Sequence, residues 1–131
     1  MRVGVNILNF GPGANPEALR DWAQLAEGLN YHSVMMSDHI AITPSVRERY
    51  PEPFYDPFAT LAWLAGQTAR VQLGTTVTVL PYRHPVLTAR LVANIDHLSR
   101  GRFILGVGVG NPVDEFTALG QPRERRGAVA Q

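Results

Sequence analysis

Ser37-Asp38-His39 closes the second of four strand-like runs and sets a carboxylate next to an imidazole. Such a pair can fix a tautomer or hold a proton near neutral pH, which makes His39 a candidate for proton transfer. Neighbours on a strand point to opposite faces, so chain adjacency does not by itself bring Asp38 and His39 together. A polar strand end with a helix-facing histidine is the alternative. Gly106, Gly108 and Gly110 alternate through the fourth run and leave one face without side chains. That face admits either a ligand or another stretch of backbone. A nicotinamide fingerprint would need a further glycine on the helix side and a place after the first strand, and neither is present. Thr75-Thr76-Val77-Thr78 puts hydroxyls on both faces of a buried strand, where each needs a partner in the backbone or in a ligand.

Other chemistries are excluded by composition. There is no cysteine, hence no disulfide, thiolate ligand or thiol nucleophile. All twelve basic residues are arginine, which removes lysine Schiff bases and a P-loop lysine. His32, His39, His84 and His97 lack metal-ligand spacing, so no metal is assigned. Arg123, Arg125 and Arg126 could meet a phosphate or form a solvated face. A net charge of +1 gives no footprint for nucleic acid. No apolar run approaches the roughly 18 residues of a membrane span. Met1-Arg2 leads into a strand-like run rather than a signal peptide, so a cytoplasmic enzyme or binding domain is expected.

The elements that must position these residues alternate in type. Length (131 residues) predicts one domain, and 45% hydrophobic residues predict a folded one. Residues 2–8 read as a first strand. Asn15-Pro16-Glu17 reads as a helix start, with Leu19, Trp22, Ala23, Ala26 and Leu29 at helical spacing and a stop at Gly28 to Asn30. Residues 32–37 form a second, buried strand. Residues 40–55, with three prolines, are long for a plain connector and read as a functional loop. Asp56-Pro57 starts a helix reaching about Thr68. Residues 71–80 read as the third strand, Pro85 to Leu98 as a helix carrying Leu87, Leu91, Ile95 and Leu98, and residues 102–109 as the fourth strand. A short helix over 112–119 follows. Strand starts near residues 3, 33, 71 and 103 repeat at roughly the length of a βαβ unit, so the strands are parallel. Periodicity leaves open whether they form a doubly wound sheet or part of a (β/α)₈ barrel. In either, ligands bind beyond the carboxyl ends of the strands.

Taken in order, several segments resemble the luciferase-like monooxygenase superfamily, and within it the deazaflavin (F420)-dependent oxidoreductases. These are Val3-Gly4-Val5-Asn6, Ser37-Asp38-His39, Leu73-Gly74-Thr75-Thr76-Val77 and Leu80-Pro81-Tyr82-Arg83-His84-Pro85. Asp96-His97-Leu98-Ser99-Arg100-Gly101-Arg102, Leu105 to Gly110, Glu115-Phe116 and Ala118-Leu119-Gly120 continue the match. The resemblance implies an α/β fold, the N-terminal half of a (β/α)₈ TIM-type barrel, with about four parallel βα units in a single unit over residues 1–131. A whole barrel takes about 250 residues. It implies hydride transfer between reduced F420 and a small organic substrate, with FMN as the alternative cofactor. A catalytically silent half-barrel that only binds or scaffolds is the competing class. His39 matches the histidine near the reactive ring. Asn6, Asp38, Thr76, Val77, Gly106, Gly108, Gly110 and Asn111 match cofactor-facing positions. Thr76-Val77 matches the place of a strand bulge with a non-proline cis peptide. Some members carry a proton-donating glutamate where this chain has Val109. Four strands leave two sheet edges open, which implies a homo-oligomer or a further half of the barrel. Nucleic-acid and membrane partners are not expected.

Overall fold

The computed structural model describes residues 1–130. Its strands are β1 (Gly4–Asn6), β2 (Ser33–Met36), β3 (Gln72–Thr75), β4 (Thr78–Val79), β5 (Phe103–Ile104) and β6 (Val107–Gly108). β1, β2, β3 and β5 form one sheet in that order, and β4 pairs with β6. Every pairing between these strands is parallel. The helices are α1 (Pro16–Gly28), α2 (Pro44–Arg47), α3 (Pro57–Ala65), α4 (Pro85–Ser99), α5 (Val113–Ala118) and α6 (Arg126–Val129). No described helix is long and apolar enough to cross a membrane.

Register explains where the core sits. Val5, Val34, Leu73 and Phe103 are successive partners across the sheet. All four belong to one apolar cluster with Leu19, Ala23 and Ala26 of α1, Leu61 and Leu64 of α3, and Ile95 of α4. Alternation along each strand therefore gives one face to the helices and turns Asn6, Met35 and Gly74 to the other. The helix starts follow the local chemistry. Asn15 Oδ1 accepts from Ala18 N at 2.8 Å and Asp56 Oδ1 from Ala59 N at 3.0 Å, each followed by proline at the first helical position. Arg102 ties the end of α3 to β5 through Ala65 O, Thr68 O and Val71 O at 2.8–3.0 Å.

Several expectations need correction. The third strand does not run unbroken over 71–80. It divides at Thr76-Val77, whose peptide is cis, as the family resemblance implied, and the fourth divides at Leu105-Gly106. Pairing resumes beyond both breaks, with Thr78 opposite Val107. The first strand is shorter than 2–8, although Ile7 N still donates to Met35 O at 2.9 Å. Trp22, Leu29, Leu87 and Leu98 share the helical spacing yet are exposed. In α1 the buried stripe is the narrow Leu19-Ala23-Ala26 row, where alanine allows close approach to the sheet. Trp22 lies on the flank of that row and lines a groove beside β1 instead.

Candidate functional site

The carboxyl ends of the strands open on a cleft of about 460 Å³, lined by His39, Tyr50, Thr76, Val77, Gly110 and Asn111 among others. Larger grooves of about 680 and 650 Å³ run beside β1 and β5, between each edge strand and its helix. Their linings are mainly aliphatic. The groups able to move protons gather in the smaller cleft.

Residues 40–55 build one wall of it. Asn9, fully buried, donates to Ser37 O (3.0 Å) and Tyr55 O (2.7 Å) and accepts from Ser37 N (3.2 Å), which ties the ends of β1 and β2 to this segment. Phe10 bridges to Phe54, and Gly11 N donates to Pro51 O and Pro53 O at 2.9 Å. At the other side Ser45 donates to Asp114 through both its hydroxyl and its N–H. The segment is thus a strap from the end of the first strand to α5. Its Tyr50 and Phe54 rings pack on the His39 imidazole at 4.3 and 5.7 Å between centroids.

His39 has a carboxylate partner, but it is Glu115 rather than Asp38. Glu115 is fully buried, and its Oε2 lies 2.7 Å from His39 Nδ1. Tyr82 donates to the same oxygen at 3.0 Å, and the Ile40 and Ala41 N–H groups donate to Oε1 at 2.8 and 3.2 Å. Burial pushes the Glu115 carboxyl upward, but His39, the Ile40 N–H and Tyr82 outweigh it and hold it below the ordinary value. Burial, with the negative charge of Glu115 alongside, pushes the Tyr82 phenol far above its usual range, so it remains a donor.

Asp38 also borders the cleft, where its carboxylate serves as a buried anchor. Its side chain has no exposed surface, and Arg83 grips both oxygens at 2.5 and 2.7 Å. Val79 N–H donates to the same carboxylate at 2.9 Å.

Asn6 and Thr76 meet across the inner face, with the Thr76 hydroxyl donating to Asn6 Oδ1 at 3.1 Å. Both are exposed, and Val77 beside them is 41% exposed. The other two hydroxyls of the threonine run pair within the protein: Thr75 donates to Gly106 O (2.8 Å) and Thr78 to Thr75 (2.9 Å). The alternating glycines likewise make room for the chain itself. A Cβ on Gly106 would strike the Thr75 carbonyl, one on Gly108 the Val77 side chain at 2.5 Å, and one on Gly110 the Val79 side chain at 2.6 Å. Gly106→Ala is the worst of these, because a backbone carbonyl cannot rotate away. We expect it to lower stability by about 1–3 kcal/mol, read as a fall in the denaturation midpoint. Asn111 borders the cleft, and Arg123 holds it by its carbonyl (2.8 Å) and its side-chain Oδ1 (2.9 Å).

Of the residues singled out in the sequence, the structure brings Asp38, His39, Thr76, Val77, Gly110 and Asn111 to the cleft, with Asn6 hydrogen-bonded to Thr76 beside it; Glu115, Tyr82 and Arg83 were missed as working groups. Arg83 had a signal: an arginine between two prolines directly after a buried strand needs an anion nearby. Glu115 had a weaker one, an acid immediately before the buried Phe116 in a short helix.

Comparison with known proteins agrees with this architecture. The family model for luciferase-like monooxygenase matches residues 1–131. The F420-dependent glucose-6-phosphate dehydrogenase of Kineococcus radiotolerans is 37% identical over 121 residues, covering 88% of this chain and 33% of that protein. The 4-hydroxyprotoasukamycin monooxygenase of Streptomyces nodosus subsp. asukaensis is 41% identical over 76 residues, covering 57% of this chain and 20% of that protein. Among solved structures, monooxygenase RslO1 from Streptomyces bottropensis superposes with a TM-score of 0.84 at 30% identity, covering 98% of this chain and 39% of that one. The chain spans less than half the length of each of these relatives. With the parallel strand order, the interrupted third and fourth strands and a family match that runs from end to end, the chain belongs to the luciferase-like monooxygenase family.

Proposed function

We propose that this chain forms the cofactor-facing half of an oxidoreductase that uses F420 for hydride transfer to or from a small organic substrate, the reduced form giving the hydride and the oxidised form taking it. The observation that carries the reading is the juxtaposition, in one cleft, of a histidine held by a buried carboxylate and the exposed Thr76-Val77 turn. A flat heteroaromatic ring needs an apolar surface and polar groups at its rim. Val77 offers the first, and Thr76 and His39 offer the second, with Asn6 held by Thr76 just beside the cleft, so the residues present fit a ring of that kind. When bound, a deazaflavin supplies two-electron hydride chemistry, whereas a flavin adds reaction with dioxygen.

The chain's own part is orientation, exclusion of water and proton handling. His39 is only 11% exposed at its side chain, walled by Tyr50 and Phe54. With Nδ1 committed to Glu115, Nε2 is the ring nitrogen left to take or give a proton at the cleft. Val109, at the position where some relatives carry an acid, is 42% exposed and brings no proton.

Titrating the protein with F420 and with FMN in parallel tests the reading. We expect saturable F420 binding, little changed in His39→Gln, and a fall of about 10²–10⁴ in turnover for that variant. Tight FMN binding without F420 binding would move the assignment to a flavin monooxygenase. Binding of neither, with no turnover, would place the chain among the silent relatives.

A further inference from the structure

We propose that Glu115 is a positioning residue that sets the tautomer of His39, keeping the proton on Nδ1 and leaving Nε2 as the free base. The inference rests on the reading of His39 as the proton-handling group but concerns a property His39 has without any cofactor.

The four partners of Glu115 make the case. Two are main-chain N–H groups, at Ile40 and Ala41, which can only donate. The third is the Tyr82 hydroxyl, which donates to Oε2. The fourth is His39 Nδ1, at 2.7 Å from that same oxygen. A carboxylate has about four acceptor sites, and four donors fill them. The site is thus complementary to an ionised carboxylate, and the ring nitrogen facing it must carry the hydrogen. Since the neutral imidazole has one N–H, Nε2 is then unprotonated. The same carboxylate grips the backbone at Ile40 and Ala41, directly after His39. Ring orientation and tautomer are therefore fixed by one side chain reaching from α5 to the root of the strap.

Glu115→Gln inverts this logic with almost no change in shape. The two main-chain donors require the amide oxygen on their side. The amide NH₂ then faces His39 Nδ1, which must become an acceptor, and the ring proton moves to Nε2. The chain has four histidines, so nitrogen-15 histidine labelling with long-range proton–nitrogen spectra can read each tautomer. The protein is used in its assembled form, without cofactor, at a pH where imidazole is neutral, and His39 is identified by its loss in His39→Gln. We expect Nδ1–H in the parent protein and in Tyr82→Phe, and Nε2–H in Glu115→Gln. With cofactor and substrate, kcat of Glu115→Gln falls on the order of 100-fold or more, with KM changed only a few fold. An Nε2–H tautomer in the parent overturns the proposal, even if the variant fails to fold. So does an unchanged tautomer in a folded Glu115→Gln. If the tautomers behave as expected but F420 and FMN both fail to bind, the positioning role stands and the functional reading falls.

Discussion

Arg83→Met lowers the stability of the protein by about 3–5 kcal/mol, the range for stranding one member of a buried ion pair. Methionine keeps much of the arginine's length and apolar stem but leaves Asp38 unexposed and without its guanidinium. Burial already pushes the Asp38 carboxyl above its ordinary value despite Arg83 and the Val79 N–H, so the stranded group either stays charged at a cost or takes up a proton. In the parent, Arg83 Nη1 and Nη2 meet the two Asp38 oxygens at 2.5 and 2.7 Å, and Nη2 also reaches Asp56 Oδ2 at 2.8 Å. The guanidinium lies over the Phe58 ring, 5.0 Å from its centroid. Burial works against the Arg83 charge, yet Asp38 and Asp56 more than offset it and raise its pKa above the ordinary value. The side chain is 8% exposed, so solvent screens the pair little. The double variant Asp38→Asn with Arg83→Met separates the stranded charge from lost packing, because it removes both charges at once. It recovers a large part of the loss. Urea unfolding of the parent, both single variants and the double variant measures the cycle. A single Arg83→Met variant within about 1 kcal/mol of the parent would show that Asp38 is not the anchor described here.

That anchor also shows why the site was partly hidden in the sequence. Strand ends were legible because a parallel fold places its ligands there, and period and β-branched runs locate strands. His39, Asn6, Thr76 and Val77 followed from that rule and from the family resemblance. The partners did not follow, because pairing across the sheet is set by register and loop path. Asp38 is next to His39 in the chain, but strand geometry sends it to Arg83, 45 positions away, while His39 finds Glu115, 76 positions away. Glu115 occupies the first turn of a short helix, where an acid ordinarily serves the helix dipole in solvent. Only the approach of the strap to α5 buries it. The break in the third strand was invisible to periodicity for a similar reason. Thr75 to Thr78 is a good β sequence throughout, and what divides it is the Gly106 carbonyl, which receives both the Thr75 hydroxyl and the Thr78 N–H. The glycines opposite are the matching half of that feature. They leave room for Thr75, Val77 and Val79.

Strap, anchor and interrupted strands act on the same few atoms. Glu115 joins α5 to residues 39–41, Asp114 joins it to Ser45, and Asn9 joins the end of β1 to Ser37 and Tyr55. Asp38 and Arg83 then pin the end of β2 to the turn after β4. A histidine placed by so many long-range contacts loses little freedom when a ligand arrives, as the proton-transfer role proposed for His39 requires.

The 131-residue polypeptide, expressed by itself, will not sediment as a stable folded monomer at micromolar concentration. Among the described residues, its sheet has an unpaired side at β1 and another at β5. Next to each open edge runs a largely aliphatic groove. Val5, Leu8, Leu19 and Trp22 line the one beside β1, and Ala89, Val92, Phe103 and Leu105 line the one beside β5. Val77, Leu105, Val107 and Val109 stand partly exposed at the third and fourth strands. Burying such surface gains roughly 25 cal/mol per Å², and open strand edges offer main-chain hydrogen bonds as well. A second copy related by a twofold axis can place its β1 beside the first copy's β5, with both grooves covered at once. In a longer chain, further βα units would take the same position, in keeping with relatives of which this chain covers 33% and 39%. We therefore expect dimers or larger species in sedimentation, and a denaturation midpoint that rises with protein concentration. A monodisperse monomer that unfolds cooperatively at a concentration-independent midpoint would mean that four βα units are self-sufficient here, and that the two edge grooves need no cover.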